Sequence, residues 1–240
     1  MIAQAADTAL ADLGNHVGLT LGNAQQHNVE PAFWKKSRLR MFISHLAAYK
    51  VQASEIQTAL NNRGISSFVA HSDIEPTLEW QNQIELALST CDILVALLQP
   101  DFHGSKWTDQ EIGFAMGRGL PVFAVRLGQD PYGFMGRFQA FNGHGKNNKL
   151  IADEIFLACC SNKQTQQSMA QALVSIFEDS DSFSIAKDRV GYLEKLEYWE
   201  NSFIDRVSRA TKVNDQINGS YGVKERISTL IKKWAAKTPK

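Results

Sequence analysis

Cys91-Asp92-Ile93-Leu94-Val95-Ala96-Leu97-Leu98 turns continuously apolar at Ile93, and nine residues past its end comes Trp107-Thr108-Asp109-Gln110-Glu111. A short apolar run without polar alternation marks a strand buried on both faces, hence a central strand of a parallel sheet. The segment around Glu111 reads as a helix that closes at Gly117 and Gly119, where glycine suits a C-terminus. A central strand feeding a helix is the unit from which open α/β sheets are wound.

The same alternation recurs on either side. Met41-Phe42-Ile43-Ser44 reads as the first strand, and the next helix carries Tyr49, Ala53, Ile56 and Leu60 at spacings of four, three and four. Gly64 ends that helix, Ile65-Ser66-Ser67-Phe68-Val69 gives a second strand, and Asp73-Ile74-Glu75-Pro76 a loop that Pro76 keeps stiff and non-helical. Trp80, Ile84, Leu88 and Cys91 form the buried stripe of the second helix. Beyond the Glu111 helix, Pro121-Val122-Phe123-Ala124-Val125 is a fourth strand, Gln139-Ala140-Phe141 a short fifth, and Ile151 to Cys160 a further helix. The pattern predicts an α/β fold with a doubly wound, five-stranded parallel sheet.

Residues 1–37, rich in Ala, Gln and Asn and interrupted by Gly14, Gly18 and Gly22, read as an N-terminal arm that Pro31 ends. The α/β domain spans 38–162. From 163 to 240 the strand signals vanish and a small C-terminal helical module is expected. Its first stripe is Tyr192, Leu196, Trp199, Phe203 and Val207, its second Val223, Ile227, Leu230 and Trp234, with Gly219 and Gly222 at the turn between them.

Composition narrows the function classes. Apolar residues make up 44% of the 240, enough for a sizeable core. Twenty-five basic and 25 acidic side chains cancel, so no global field favours nucleic acid or an anionic membrane. Cys91, Cys159 and Cys160 lack metal-ligand spacing, and His103 and His144 have no partner at such spacing, so no metal is expected. The N-terminus lacks the basic and apolar regions of a signal peptide and no run approaches bilayer length, which predicts a soluble, cytoplasmic protein. Neither Gly117-Arg118-Gly119 nor Gly133-Phe134-Met135-Gly136-Arg137 is a dinucleotide fingerprint, since neither leads a strand into a helix at the required spacing.

Trp107 and Glu111 stand four apart, on one face of their helix, near the carboxyl end of a buried strand where open α/β sheets bind ligands. A carboxylate fixed beside an indole suits a planar cationic ring whose reaction develops positive charge on an adjacent sugar carbon. A plainer reading makes Glu111 a first-turn glutamate that favours the helix dipole. Trp107 could likewise pack under the helix start.

Several ordered landmarks together resemble a bacterial TIR (Toll/interleukin-1 receptor) domain over residues 38 to about 160. They are Phe42-Ile43-Ser44-His45, Asn62-Arg63-Gly64-Ile65, Asp73-Ile74-Glu75-Pro76, Ser89-Thr90-Cys91-Asp92, Trp107-x-x-x-Glu111 and Phe141-Asn142-Gly143. The resemblance implies a flavodoxin-like sheet and cleavage of the nicotinamide–ribose bond of NAD⁺, with NAD⁺ as substrate and no cofactor. Glu111 aligns with the family's catalytic glutamate. Trp107, Ser44, His45, Asp73, Pro76 and Trp80 fall where that family lines or covers the substrate, although His45 replaces an aromatic Tyr common there.

By the same resemblance the chain is similar to Thoeris-type antiphage TIR sensors, which make cyclic ADP-ribose-type signals for a downstream effector. That setting implies self-association through TIR domains and a phage-derived activator. Two alternatives stay open: an NAD⁺-depleting hydrolase giving ADP-ribose, and a non-catalytic TIR adaptor that pairs through its loops. A phosphoacceptor receiver domain is set aside, because Leu98-Gln99-Pro100 and Ser44-His45 stand where such a site needs acids.

Overall fold

A strand with no polar face must be covered on both sides, and the chain winds accordingly. In the computed structural model, which describes residues 31–69, 78–137 and 140–237, five strands form one parallel sheet. These are β1 (Leu39–Ser44), β2 (Ile65–Val69), β3 (Ile93–Leu98), β4 (Val122–Arg126) and β5 (Phe141–Asn142), in the order β2-β1-β3-β4-β5. The helices α1 (Lys50–Asn61), α2 (Leu78–Thr90), α3 (Lys106–Gly117) and α4 (Asn148–Ser161) alternate with them. Then follow α5 (Gln166–Glu178), α6 (Phe183–Leu193), α7 (Asn201–Val213), α8 (Asp215–Asn218) and α9 (Val223–Lys237). The flavodoxin-like α/β reading therefore holds.

Alternate strand residues serve opposite faces of the sheet. Met41, Ile43, Ile93, Val95 and Leu97 pack on one side with Ile56 and Leu60 of α1, Ile155 and Cys159 of α4 and the helices beyond Asn162. Phe42, Leu94, Ala96 and Leu98 pack on the other with Ile84 and Leu88 of α2 and Ile112 and Ala115 of α3. The chain steps from β1 out to β2 and returns across β1 to β3, so the β1/β3 pair is the topological switch point. There Ser44, the last residue of β1, lies beside Ala96.

Local chemistry sets the element ends. Gly119 (φ +71°) takes the left-handed conformation after α3; its N–H bonds to Met116 O and that of Leu120 to Ala115 O, the paired bonds of a Schellman stop. Gly64 (φ +79°) turns α1 into β2 and packs so closely that a Cβ there would stand 3.2 Å from Leu173 Cδ2 of α5. Residues 1–30 of the expected arm lie outside the described residues. At its end, Trp34 is buried and its indole N–H donates to Thr90 Oγ1 at 2.9 Å. The fifth strand falls at Phe141–Asn142 rather than over 139–141, with residue 139 outside the described residues.

One expectation needs correction. Tyr192, Leu196, Trp199, Phe203 and Val207 do not lie on a single helix: α6 ends at Leu193 and α7 begins at Asn201. Tertiary packing overrides the periodicity. The intervening turn lets the Trp199 ring stack on Trp234 at 5.3 Å, and its indole N–H donates to the Trp234 carbonyl at 3.2 Å. The second stripe holds as α9, with Val223, Ile227, Leu230 and Trp234 all buried. No described helix is long and apolar enough to cross a membrane.

Phe33–Lys240 is one compact unit, and Trp234 belongs to the same apolar cluster as the residues of β1 and β3. Trp234→Ala should therefore destabilise that whole unit by about 3–5 kcal/mol. Urea unfolding followed by far-UV and near-UV circular dichroism should give one coincident transition at lower midpoint. Two separated transitions would contradict a shared core.

Candidate active site

The carboxyl end of β3 leads into a tightly specified connection. Gln99 is fully buried, Asp101 adopts a left-handed backbone (φ +64°), and Phe102–Gly104 form a short 3-10 turn. Ser105 caps α3 by accepting from the Thr108 N–H, and Thr108 Oγ1 donates to Phe102 O at 3.1 Å. With its first turn so fixed, α3 turns Thr108, Glu111, Ile112 and Ala115 toward the sheet. Their spacing is that of an apolar core stripe, and one of the four is an acid.

Glu111 is only 6% exposed, and its Oε2 accepts a hydrogen bond from Ser44 Oγ at 2.6 Å. Among the described residues no Lys or Arg pairs with it. Burial pushes the carboxyl from its ordinary 4.5 up to about 7, while the Ser44 hydrogen bond pulls the other way. The first-turn acid of α3 is Asp109, which is exposed and accepts from the Tyr132 hydroxyl at 2.5 Å. A helix-dipole role therefore falls to Asp109 and does not explain Glu111.

Trp107 stands one turn before Glu111, 39% exposed, with its ring edge-on to that of Trp80 at 5.3 Å. The carboxylate's own helix α3 and its neighbour α2 thus each contribute one ring to a paired aromatic surface. His45 is half-buried next to Ser44, with Nδ1 3.3 Å from Ile43 O. Asp73 and Pro76 lie outside the described residues. The structure so joins Ser44 to Glu111 and Trp80 to Trp107.

Gln99 was not among the expected site residues. Its Oε1 accepts from Leu46 N at 3.1 Å and its Nε2 donates to Gln52 Oε1 at 3.3 Å, which fixes the loop after Ser44 and His45. The signal was a lone amide directly following an apolar central strand. A hollow of about 590 Å³ lies at the other end of β4, by Leu120, Phe123, Phe141 and Gln164. No ionisable side chain lines it.

Residues 41–156 match the family described as TIR domain. No curated protein matches the chain.

Burial of Glu111 makes a prediction that needs no substrate. Its carboxyl is neutral below about 4.5 in both states, ionises near 4.5 in the unfolded chain and near 7 in the folded one. The stability associated with the protonated form is therefore complete at acid pH and lost as pH rises through 7. Glu111→Gln should leave stability unchanged near pH 4.5 and raise it by about 3 kcal/mol at pH 8. Thermal unfolding across that range checks it; an equal effect at both ends would contradict the buried, unpaired carboxylate.

Proposed function

Residues 41–156 are a TIR domain, and from that premise we propose that the chain cleaves the nicotinamide–ribose bond of NAD⁺, with Glu111 as the catalytic residue. The observation that carries this reading is an acid in the apolar stripe of α3, buried and without a cationic partner among the described residues. Such a site is costly for stability and suited to a cationic substrate.

The chemistry follows from charge. Nicotinamide departs as a neutral molecule from a cationic ring, so little acid catalysis is required. What needs stabilising is the positive charge that develops on the ribose, and a preorganised carboxylate in a water-poor setting does this strongly. Glu111 accepts ribose hydroxyl hydrogen bonds that strengthen as that charge grows. The Trp80–Trp107 pair offers an aromatic face to a planar ring.

Capture of the ribosyl cation by the adenine of the same molecule gives a cyclic ADP-ribose-type product; capture by water gives ADP-ribose. We assign the former, as an antiphage signal read by a downstream effector, with self-association through the TIR domain and a phage-derived trigger. NAD⁺ is substrate and no cofactor takes part.

The test is incubation of the full chain and of Glu111→Gln with NAD⁺, with and without lysate of phage-infected cells, with products resolved by chromatography and mass spectrometry. The Gln variant should lose roughly 10²–10³ or more of the nicotinamide release. Equal release from both proteins would remove Glu111 from the mechanism. ADP-ribose as sole product would establish the hydrolase instead of the cyclase. Because ionised Glu111 is the active form, kcat/KM should rise with pH through about 7. A flat profile from pH 5 to 9 would contradict that assignment.

A further inference from the structure

We infer that Ser44 is a positioning residue for the catalytic carboxylate: its hydroxyl holds Oε2 of Glu111 and so leaves Oε1 as the oxygen that faces the substrate ribose. This inference rests on the reading of Glu111 as the catalytic group. It starts from geometry. The 2.6 Å separation is that of a charge-assisted O–H···O⁻ bond, and both partners are buried, Ser44 at 1% and Glu111 at 6% exposure. Among the described residues Glu111 accepts from no other group.

Ser44 is a rigid anchor, because it ends β1 and lies in register with Ala96 of the fully buried β3. A glutamate side chain has three rotatable bonds, and the helical backbone of α3 restricts only the first. One bond to a strand-held hydroxyl removes that freedom and divides the carboxylate between a structural and a chemical oxygen. Serine carries one hydroxyl proton, and here it goes to Glu111. Toward a substrate Ser44 has only a lone pair left, so it can accept from a ribose hydroxyl but cannot donate to a phosphate. The same bond favours the ionised carboxylate, against the effect of burial.

The experiment uses the full chain with Ser44→Ala and Ser44→Thr, each also combined with Glu111→Gln. Without substrate, the stability difference between each protein and its Gln counterpart is followed from pH 4 to 9; it changes between the unfolded-state and folded-state ionisations, and the pH at which it levels off reports the ionisation of Glu111 in the folded protein. That levelling pH should move from about 7 to higher pH by about one pH unit in Ser44→Ala and return in Ser44→Thr. With NAD⁺, Ser44→Ala should release nicotinamide roughly tenfold more slowly at pH 7, and the deficit should shrink toward pH 9 to the part that lost orientation of the carboxylate leaves.

An unmoved levelling pH in Ser44→Ala overturns the inference, as does a rate equal to that of the unsubstituted protein at pH 9, where Glu111 is ionised in both and only its orientation differs. A moved levelling pH in a protein that never cleaves NAD⁺ supports the hydrogen bond's role and removes the NAD⁺ reading, so the two fail separately. If Ser44→Ala does not fold, Ser44→Cys, close in volume and a weak donor, carries the same comparison.

Discussion

Because every residue of β3 is buried, helices must cover the sheet on both sides, and parallel strands permit that through crossover helices. Once α1 and α4 occupy one face and α2 and α3 the other, the chain has to reverse its winding between β1 and β3. That reversal leaves a gap at the carboxyl ends of the two strands. Into it α3 delivers Glu111 from one side while β1 delivers Ser44 from below, and neither placement needs a flexible loop.

Glu111 runs against the stability of the molecule that carries it. A leucine in the same stripe of α3 would add to the cluster of Ile112, Ala115 and Phe102, whereas a buried carboxyl without a cation is disfavoured as the anion. The fold tolerates this because the rest of the core is large and continuous, reaching from β1 through α5 to Trp234. A mobile carboxylate on the surface would already be solvated. Its capacity to stabilise a developing cation would be correspondingly less.

Several charged landmarks that accompany the TIR resemblance serve the frame. Asp92 accepts from the Arg40 backbone N–H and from its guanidinium, clamping the starts of β1 and β3. Arg63, itself 5% exposed, bonds to Asp153 and to Ala59 O and so ties α1 to α4. At Gly143 a Cβ would come within 2.8 Å of Val125 Cγ1 and Leu127 Cδ2, which requires glycine where β5 meets β4. These residues meet paired partners close by. Glu111 differs from Asp92 and Arg63 in being buried without an oppositely charged partner among the described residues.

Local periodicity was enough to read the alternation of strands and helices, the centrality of Ile93–Leu98 and the helix bearing Trp107 and Glu111, because apolar spacing records which side of an element is covered. It could not show the break between Leu193 and Asn201, since the stripe from Tyr192 to Val207 is helical in spacing and the turn exists to seat Trp199 on Trp234. Nor could it separate a dipole-favouring glutamate from a buried one. Asp109 and Glu111 are two residues apart on the same helix, and which of them faces the sheet is set by how α3 packs against β1 and β3. The Ser44–Glu111 bond joins residues 67 positions apart. Sequence supplied the two side chains, and the strand order β2-β1-β3 brought them within 2.6 Å, because a crossover places residues side by side that no local spacing relates.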